Sequence, residues 1–145
     1  MIREQKFLLL TACLPLLALM LVGCGGSNAP DLIEVSGVLK IDGAPAENIM
    51  LHFVPKTTDE SINAPTSHGL TDAEGKFVLR SAKNELGALA GLHLVTLYDT
   101  EEERPAQGQE ATKPRRLAAK YSSGGMEVEV VAGKLIEITA TGPTQ

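Results

Sequence analysis

"IEVSGVLKIDGAPAENIMLHFVP", residues 33–55, is the stretch that decides the fold. Its first part alternates apolar and polar side chains, the period of a β-strand with one buried face; the apolar positions are Ile33, Val35, Leu39 and Ile41. Gly37 interrupts this face and indicates a bulge or a close backbone approach. Asp42-Gly43 favours a two-residue turn. Residues 48–54 are apolar almost throughout, which predicts a strand at a sheet centre or buried on both faces.

Strand-like segments recur along the rest of the chain and are separated by turn residues. We expect hairpins around residues 71–75 and around Ala132-Gly133. The polar interval from Asp99 to Arg116 predicts a mobile surface loop. Together these patterns predict an all-β fold, a two-sheet sandwich of seven strands; the strands are expected at 33–41, 48–54, 67–70, 76–80, 92–98, 126–131 and 134–140.

Composition limits the number of domains and the classes of partner. The chain has 145 residues and a net charge of -5, which suits one domain and disfavours binding to nucleic acid or to anionic lipid by charge alone. Aromatic residues make up only 3% and Trp is absent, so the usual stacking platforms for sugars and bases are scarce.

The amino-terminal segment has the pattern of an export signal. Arg3 and Lys6 precede an uncharged apolar run, residues 7–22, and this order is typical of a signal peptide. The run is shorter than the about 20 residues of a membrane-spanning helix and contains Pro15, which removes a helix hydrogen bond. A cleaved signal is therefore favoured over a permanent span.

Leu21-Val22-Gly23-Cys24 resembles the bacterial lipobox. That resemblance implies cleavage between Gly23 and Cys24 and lipid attachment to the Cys24 thiol. Cys13 ends a similar four-residue pattern, but the apolar run before it is too short for an export signal. Loss of the signal would leave Cys24 as the only cysteine, which excludes an intramolecular disulfide. We therefore expect a signal peptide at 1–23, the lipidated cysteine and a flexible tether at 24–31, and a β-domain at 32–142.

Several segments of the mature chain resemble the transthyretin-like, carboxypeptidase regulatory-like domain of small bacterial surface lipoproteins. The matching segments are VSGVLKIDGAPAENIMLHFVP (35–55), GLTDAEGKFVLR (69–80), GALAGLHLVTL (87–97), KYSS (120–123) and MEVEVVAGKLIEI (126–138). The resemblance implies a Greek-key β-sandwich and specifies a fold rather than an activity.

No catalytic, cofactor or metal site is expected from the sequence. A zinc carboxypeptidase needs a glutamate three residues after a histidine, whereas His52, His68 and His93 are followed at that distance by Pro55, Thr71 and Thr96. No two of these histidines have the close spacing of metal ligands, and strand-face histidines without a metal are the simpler interpretation.

The sequence thus predicts a non-catalytic lipoprotein, attached to the membrane by its lipid, whose domain is a structural or interaction module of the cell envelope. Envelope proteins or glycans are the expected partners, and nucleic acid is not. The alternative is a carbohydrate or peptidoglycan binding module, in which Tyr98 or Tyr121 would contact the ligand. Gly25 follows Cys24 in place of the aspartate of an inner-membrane retention signal, so in a cell with two membranes the outer one is favoured.

Overall fold

Eleven strands and one short helix form the part of the chain that the computed structural model describes, residues 30–57, 64–103 and 105–144. The predicted signal peptide, the cleavage site at Gly23 and Cys24 lie outside these residues. The elements are β1 Leu32–Ile33, β2 Ser36–Ile41, β3 Ala44–Pro45, β4 Ile49–Pro55, β5 Ser67–Leu70, β6 Lys76–Val78, β7 Arg80–Ser81, β8 Ala88–Leu89, β9 Gly91–Asp99, α1 Lys120–Ser123, β10 Met126–Val130 and β11 Ile136–Ala140.

The chain is mostly β-sheet, which confirms the expected all-β class. One sheet has five antiparallel strands in the order β10-β9-β4-β5-β7. A second sheet has four strands, in which β2 pairs in parallel with β11 and antiparallel with β3 and β6. β1 and β8 form a separate two-stranded ladder. The strands are more finely divided than the predicted seven, because turns and changes of sheet interrupt them.

The buried faces of both large sheets contribute to one hydrophobic core. Ile49, Leu51 and Phe53 of β4 are fully buried, and the Phe53 ring lies 6.2 Å from the ring of Phe77 on β6 of the other sheet. The prediction that β4 occupies a sheet centre is confirmed. Burial on both of its faces is wrong: His52 and Val54 are exposed, because no second layer covers the outer face in the described chain.

The predicted hairpin around residues 71–75 is a corner between the two sheets. β5 pairs with β4 and β7, whereas β6 pairs with β2. The turn itself forms as its residues indicate. The Asp72 carboxylate accepts hydrogen bonds from the backbone N–H groups of Glu74 and Lys76 at 3.0 and 2.8 Å, and Gly75 has a φ of +72°, which suits a residue without a Cβ.

The predicted closing hairpin is also wrong, because its two strands belong to different sheets. β10 pairs with β9 in the five-stranded sheet, and β11 crosses to the other sheet to pair in parallel with β2. The turn between them is present, with a hydrogen bond from the Lys134 N–H to the Val131 carbonyl at 3.2 Å. Side-chain alternation fixes which face of a strand is buried, but it does not fix the partner strand.

Two features of the first segment, residues 33–55, form as predicted. Asp42 and Gly43 both have positive φ, 51° and 84°, and join β2 to β3 in the two-residue turn that such angles allow. At Gly37 a Cβ would collide with the Phe77 ring and would lie 2.5 Å from the Ile136 carbonyl oxygen. Gly37 therefore allows β6 and β11 to pack closely against β2.

Candidate functional site

The outer face of the five-stranded sheet brings together side chains that are distant in sequence. Met50 lies opposite Tyr98, and His52 lies between Thr96 on one neighbouring strand and His68 on the other. These residues face away from the core because successive side chains of a strand alternate between faces. We call the group Met50, His52, His68, Thr96 and Tyr98 the outer-face cluster.

Tyr98 presents an oriented aromatic ring within the outer-face cluster. Its side chain is 38% exposed. The His52 ring meets it edge-on, with the ring centroids 5.3 Å apart and an interplanar angle of 67°. At the other end of the ring, the hydroxyl donates a hydrogen bond to the Ser122 carbonyl at 3.4 Å. These two contacts hold the ring in position while part of it remains accessible to solvent.

An open cavity of about 560 Å³ borders Tyr98. Its other walls carry an imidazole from His52, a hydroxyl from Thr100 and a carboxylate from Glu102. An apolar ring face beside hydrogen-bond donors and acceptors matches the chemistry of a sugar, which has both apolar and hydroxyl-bearing surfaces. The walls of the cavity thus combine an aromatic ring with polar groups, two of which have partners within the protein: the Thr100 hydroxyl donates to the Asn48 carbonyl, and Glu102 pairs with Arg115.

Tyr121 occupies a different environment. It lies in α1 and is only 7% exposed. Its hydroxyl oxygen accepts a hydrogen bond from the Thr141 N–H at 3.1 Å and lies 3.3 Å from the Thr141 hydroxyl. Hydrogen bonds from Thr141 lower the pKa of the phenol from its ordinary value, against the opposing effect of burial. Tyr121 thus packs α1 onto the core and attaches it to the chain after β11, and the structure does not bring the two tyrosines to one surface.

The histidines divide into an exposed pair and a buried residue. His52 and His68 face each other across β4 and β5, a proximity that their separation in sequence does not reveal. His93 is buried beside Phe53, with ring centroids 5.9 Å apart. No group of three or more His, Cys, Asp or Glu side chains suited to a metal ion occurs in the described residues.

His93 has a defined tautomer. Its Nδ1 lies 3.1 Å from the Gly91 carbonyl oxygen, and since a carbonyl only accepts, Nδ1 carries the proton. Its Nε2 is then an acceptor, and it is buried without a hydrogen-bond partner in the described chain. Burial lowers the pKa of this imidazole below its ordinary value, although the bond to Gly91 acts in the opposite direction. His93 is therefore a neutral core residue rather than a ligand-facing one.

An ion pair fixes the long loop beside the Tyr98 cavity. The Arg116 guanidinium donates two hydrogen bonds to the Asp99 carboxylate, from Nε at 2.8 Å and from Nη2 at 2.5 Å, and a third to the Glu47 carbonyl at 3.2 Å. Burial of the Asp99 carboxylate acts to raise its pKa, but the hydrogen bonds from Arg116 and from the Glu101 N–H, together with the positive charge of Arg116, outweigh burial and lower the pKa. Arg116, the last residue of the loop predicted to be mobile, thus attaches that loop to the end of β9.

This ion pair was not predicted from the sequence. The sequence predicts only a polar surface loop at this position, and nothing in that pattern indicates which carboxylate meets which guanidinium. Asp99 ends a strand and Arg116 precedes Leu117, a buried residue. A charge next to a core residue is the one local signal that singles out Arg116 from its neighbour Arg115.

No protein-family model, curated protein or solved structure matches this chain. Within residues 30–57, 64–103 and 105–144, no helix has the length and apolar character needed to cross a membrane.

Proposed function

We propose that this protein is a membrane-anchored, extracytoplasmic lipoprotein whose non-catalytic β-domain is a structural or interaction module of the cell envelope. The observation that carries the proposal is the order of segments along the chain. A basic start, an apolar run and the Leu21–Cys24 lipobox are followed by a Gly/Ser-rich stretch, and the strands run from Leu32 to Ala140. A lipid-bearing cysteine would therefore stand just before a folded domain.

The fold family of the domain is also part of this proposal. We assign it to the transthyretin-like, carboxypeptidase regulatory-like sandwiches on the motifs of the sequence. Two antiparallel-rich sheets around one core support the assignment, as do the turns at Asp42-Gly43 and at Thr71–Gly75. Domains of this type carry no activity by virtue of their fold.

Lipid attachment is tested by intact mass and by partitioning of the native protein into detergent. The wild type is expected to have lost residues 1–23 and to carry acyl chains on Cys24, since two or more chains are needed for durable anchoring. A Cys24→Ala variant is expected to remain uncut and without lipid. A Cys13→Ala variant is the matched control and is expected to behave as the wild type. An uncut wild-type protein without lipid would refute the anchor.

A carbohydrate or peptidoglycan binding module is the second candidate, and the position of Tyr98 favours it. The exposed ring is held by His52 and Ser122 and borders a cavity that also contains Glu102. Stacking of a sugar on such a ring, with hydrogen bonds from the neighbouring polar groups, is the chemistry that this arrangement supports.

Glycan binding is tested on a glycan array and by retention on purified peptidoglycan. Tyr98→Ala is expected to abolish retention. Because this variant loses the contacts of the ring with His52 and Ser122, circular dichroism and the melting temperature are used to check that it remains folded. Leu92→Ala is the matched control, since Leu92 is exposed on the same face at the other end of β9. Absence of retention by the wild type, or equal retention by both variants, would exclude Tyr98 as a glycan contact.

A further inference from the structure

The strand registers define two ends of the domain. At one end lie the starts of β2, β9 and β11 and the end of β10, since Gly37 pairs with Ile136 and Gly91 with Val130. This end also receives the chain at Leu32–Ile33, and we call it the proximal end. At the other end, which we call the distal end, Ile41 pairs with Ala140 and β9 finishes at Asp99.

Large apolar side chains are exposed mainly at the proximal end. Four of them, each 43–54% exposed, lie at the end of β6, in the turn before β8 and in the turn between β10 and β11. We call this group the proximal patch: Val78, Leu86, Val131 and Leu135. Val78, Leu86 and Leu135 line an open groove of about 670 Å³. Exposed apolar side chains grouped around one groove are typical of a site of contact with a membrane or with another protein.

The chain enters the fold at this same groove. Ile33 forms part of its lining, and the Gly87 backbone lies so close to the Ile33 carbonyl that a Cβ at position 87 would collide with it. Eight residues separate Cys24 from Ile33, and the nine steps from one to the other span at most about 30 Å when fully extended. A bilayer that holds a lipid on Cys24 would therefore be within reach of the proximal patch.

The charged residues also differ between the two ends. The distal end carries the acidic run Glu101–Glu103, which begins two residues after the end of β9. In the proximal groove Glu34 and Lys134 oppose each other in sign. At the groove a lipid surface would meet apolar side chains and two charges of opposite sign. At the distal end it would have to desolvate Glu103 and the ion pairs of Glu101 and Glu102 with Arg116 and Arg115.

We propose that the anchored domain docks on the phospholipid bilayer through the proximal patch instead of standing clear of it on its tether. This inference rests on the proposed lipid attachment at Cys24. The acyl chains bring the domain to the surface, and the exposed apolar side chains insert at the level of the headgroups. The outer-face cluster around Tyr98 then points sideways, and the acidic loop after β9 faces the aqueous phase.

The test uses the absence of tryptophan from the chain. The lipidated full-length protein is placed in phosphatidylcholine vesicles with or without brominated acyl chains, which quench tryptophan only at short range. Single tryptophans are introduced as Leu135→Trp or Leu86→Trp in the patch and as Tyr98→Trp at the distal end. All three positions are exposed, and circular dichroism and the melting temperature identify any variant that does not fold.

We expect quenching at position 135 or 86 to exceed that at position 98 by at least about twofold, because interfacial side chains enter the headgroup and acyl boundary. Equal quenching at both ends, in a protein whose mass shows the lipid, overturns the docking and leaves the anchor intact. A protein without lipid overturns both proposals together. Quenching that is strongest at position 98 reverses the orientation and also overturns the inference.

Discussion

Replacement of Arg116 by methionine is expected to destabilise the domain by about 2 kcal/mol. Asp99 has a side chain that is only 4% exposed, and Arg116 is 38% exposed, so the pair lies between two known limits. Breaking a fully buried pair costs about 3–5 kcal/mol because one charge stays behind, and an exposed pair contributes about 0–1 kcal/mol. Arg116→Met leaves the buried Asp99 carboxylate without the two hydrogen bonds from the guanidinium. We therefore expect a loss of stability between these two limits, about 2 kcal/mol.

The matched control is the same substitution at the preceding residue. Arg115 is 62% exposed and pairs with Glu102, with Nε and Oε1 2.6 Å apart. An exposed pair of this kind contributes little, and we expect Arg115→Met to change the free energy of unfolding by less than about 0.5 kcal/mol. Urea unfolding followed by circular dichroism measures both variants. The larger loss corresponds to a fall in melting temperature of roughly 8 °C for a domain of this size.

The pH dependence gives a second readout of the same pair. Because the pKa of Asp99 is lower in the folded chain than its ordinary 3.8, the contribution of the pair is complete above that value. It is lost as the pH falls through the folded-state pKa, where the carboxylate takes up a proton. The difference between wild type and Arg116→Met should therefore shrink in acid. Equal stability of Arg116→Met and Arg115→Met at neutral pH would refute the reasoning.

Two further predictions concern the core. Gly37→Ala should lower the free energy of unfolding, measured in urea, by about 1–3 kcal/mol, since the new methyl group collides with the Phe77 ring. Gly124→Ala, whose Cβ would have one contact at 3.4 Å, is the control, and equal losses of stability would contradict the packing argument. The pKa of His93 is lower in the folded state than its ordinary value of 6.5. The unfolded chain therefore binds more protons, and stability should fall as the pH drops below about 6.5. His93→Leu should remove this component from a pH series of urea titrations, and an unchanged pH profile would contradict it.

Several local features of the fold were predictable because they depend on neighbours in sequence. Asp42-Gly43 forms its turn through positive φ angles that asparagine, aspartate and glycine tolerate best. Asp72 forms its turn by bonding backbone groups two and four residues away. Alternation along 33–41 and 126–131 correctly placed strands, and the close approach at Gly37 was indicated by a glycine within an apolar face.

The partners of the strands were not predictable in the same way. β5 and β6, and likewise β10 and β11, are consecutive and were expected to pair, yet each couple divides between the two sheets. A short turn allows either arrangement, and the choice depends on how the buried faces of all strands fill one core.

The candidate site depends on these long-range strand pairings more strongly than the fold class depends on them. Tyr98 could be named from the sequence as one of two tyrosines, but its contact with His52 exists only because β4 pairs with β9. Tyr121 is buried in the core, and its hydroxyl contacts Thr141, which lies beyond β11. The exposure of one ring and the burial of the other are therefore tertiary properties.

The sequence by itself determined the β class, the turn positions and the motif at Cys24, since each is written in residues close together along the chain. Tertiary structure alone decided which strands share a sheet, which tyrosine faces solvent and which end of the domain exposes its apolar side chains. The physical reason is that side-chain period and turn chemistry act over a few residues, whereas pairing and exposure follow from burial of apolar surface by the whole chain.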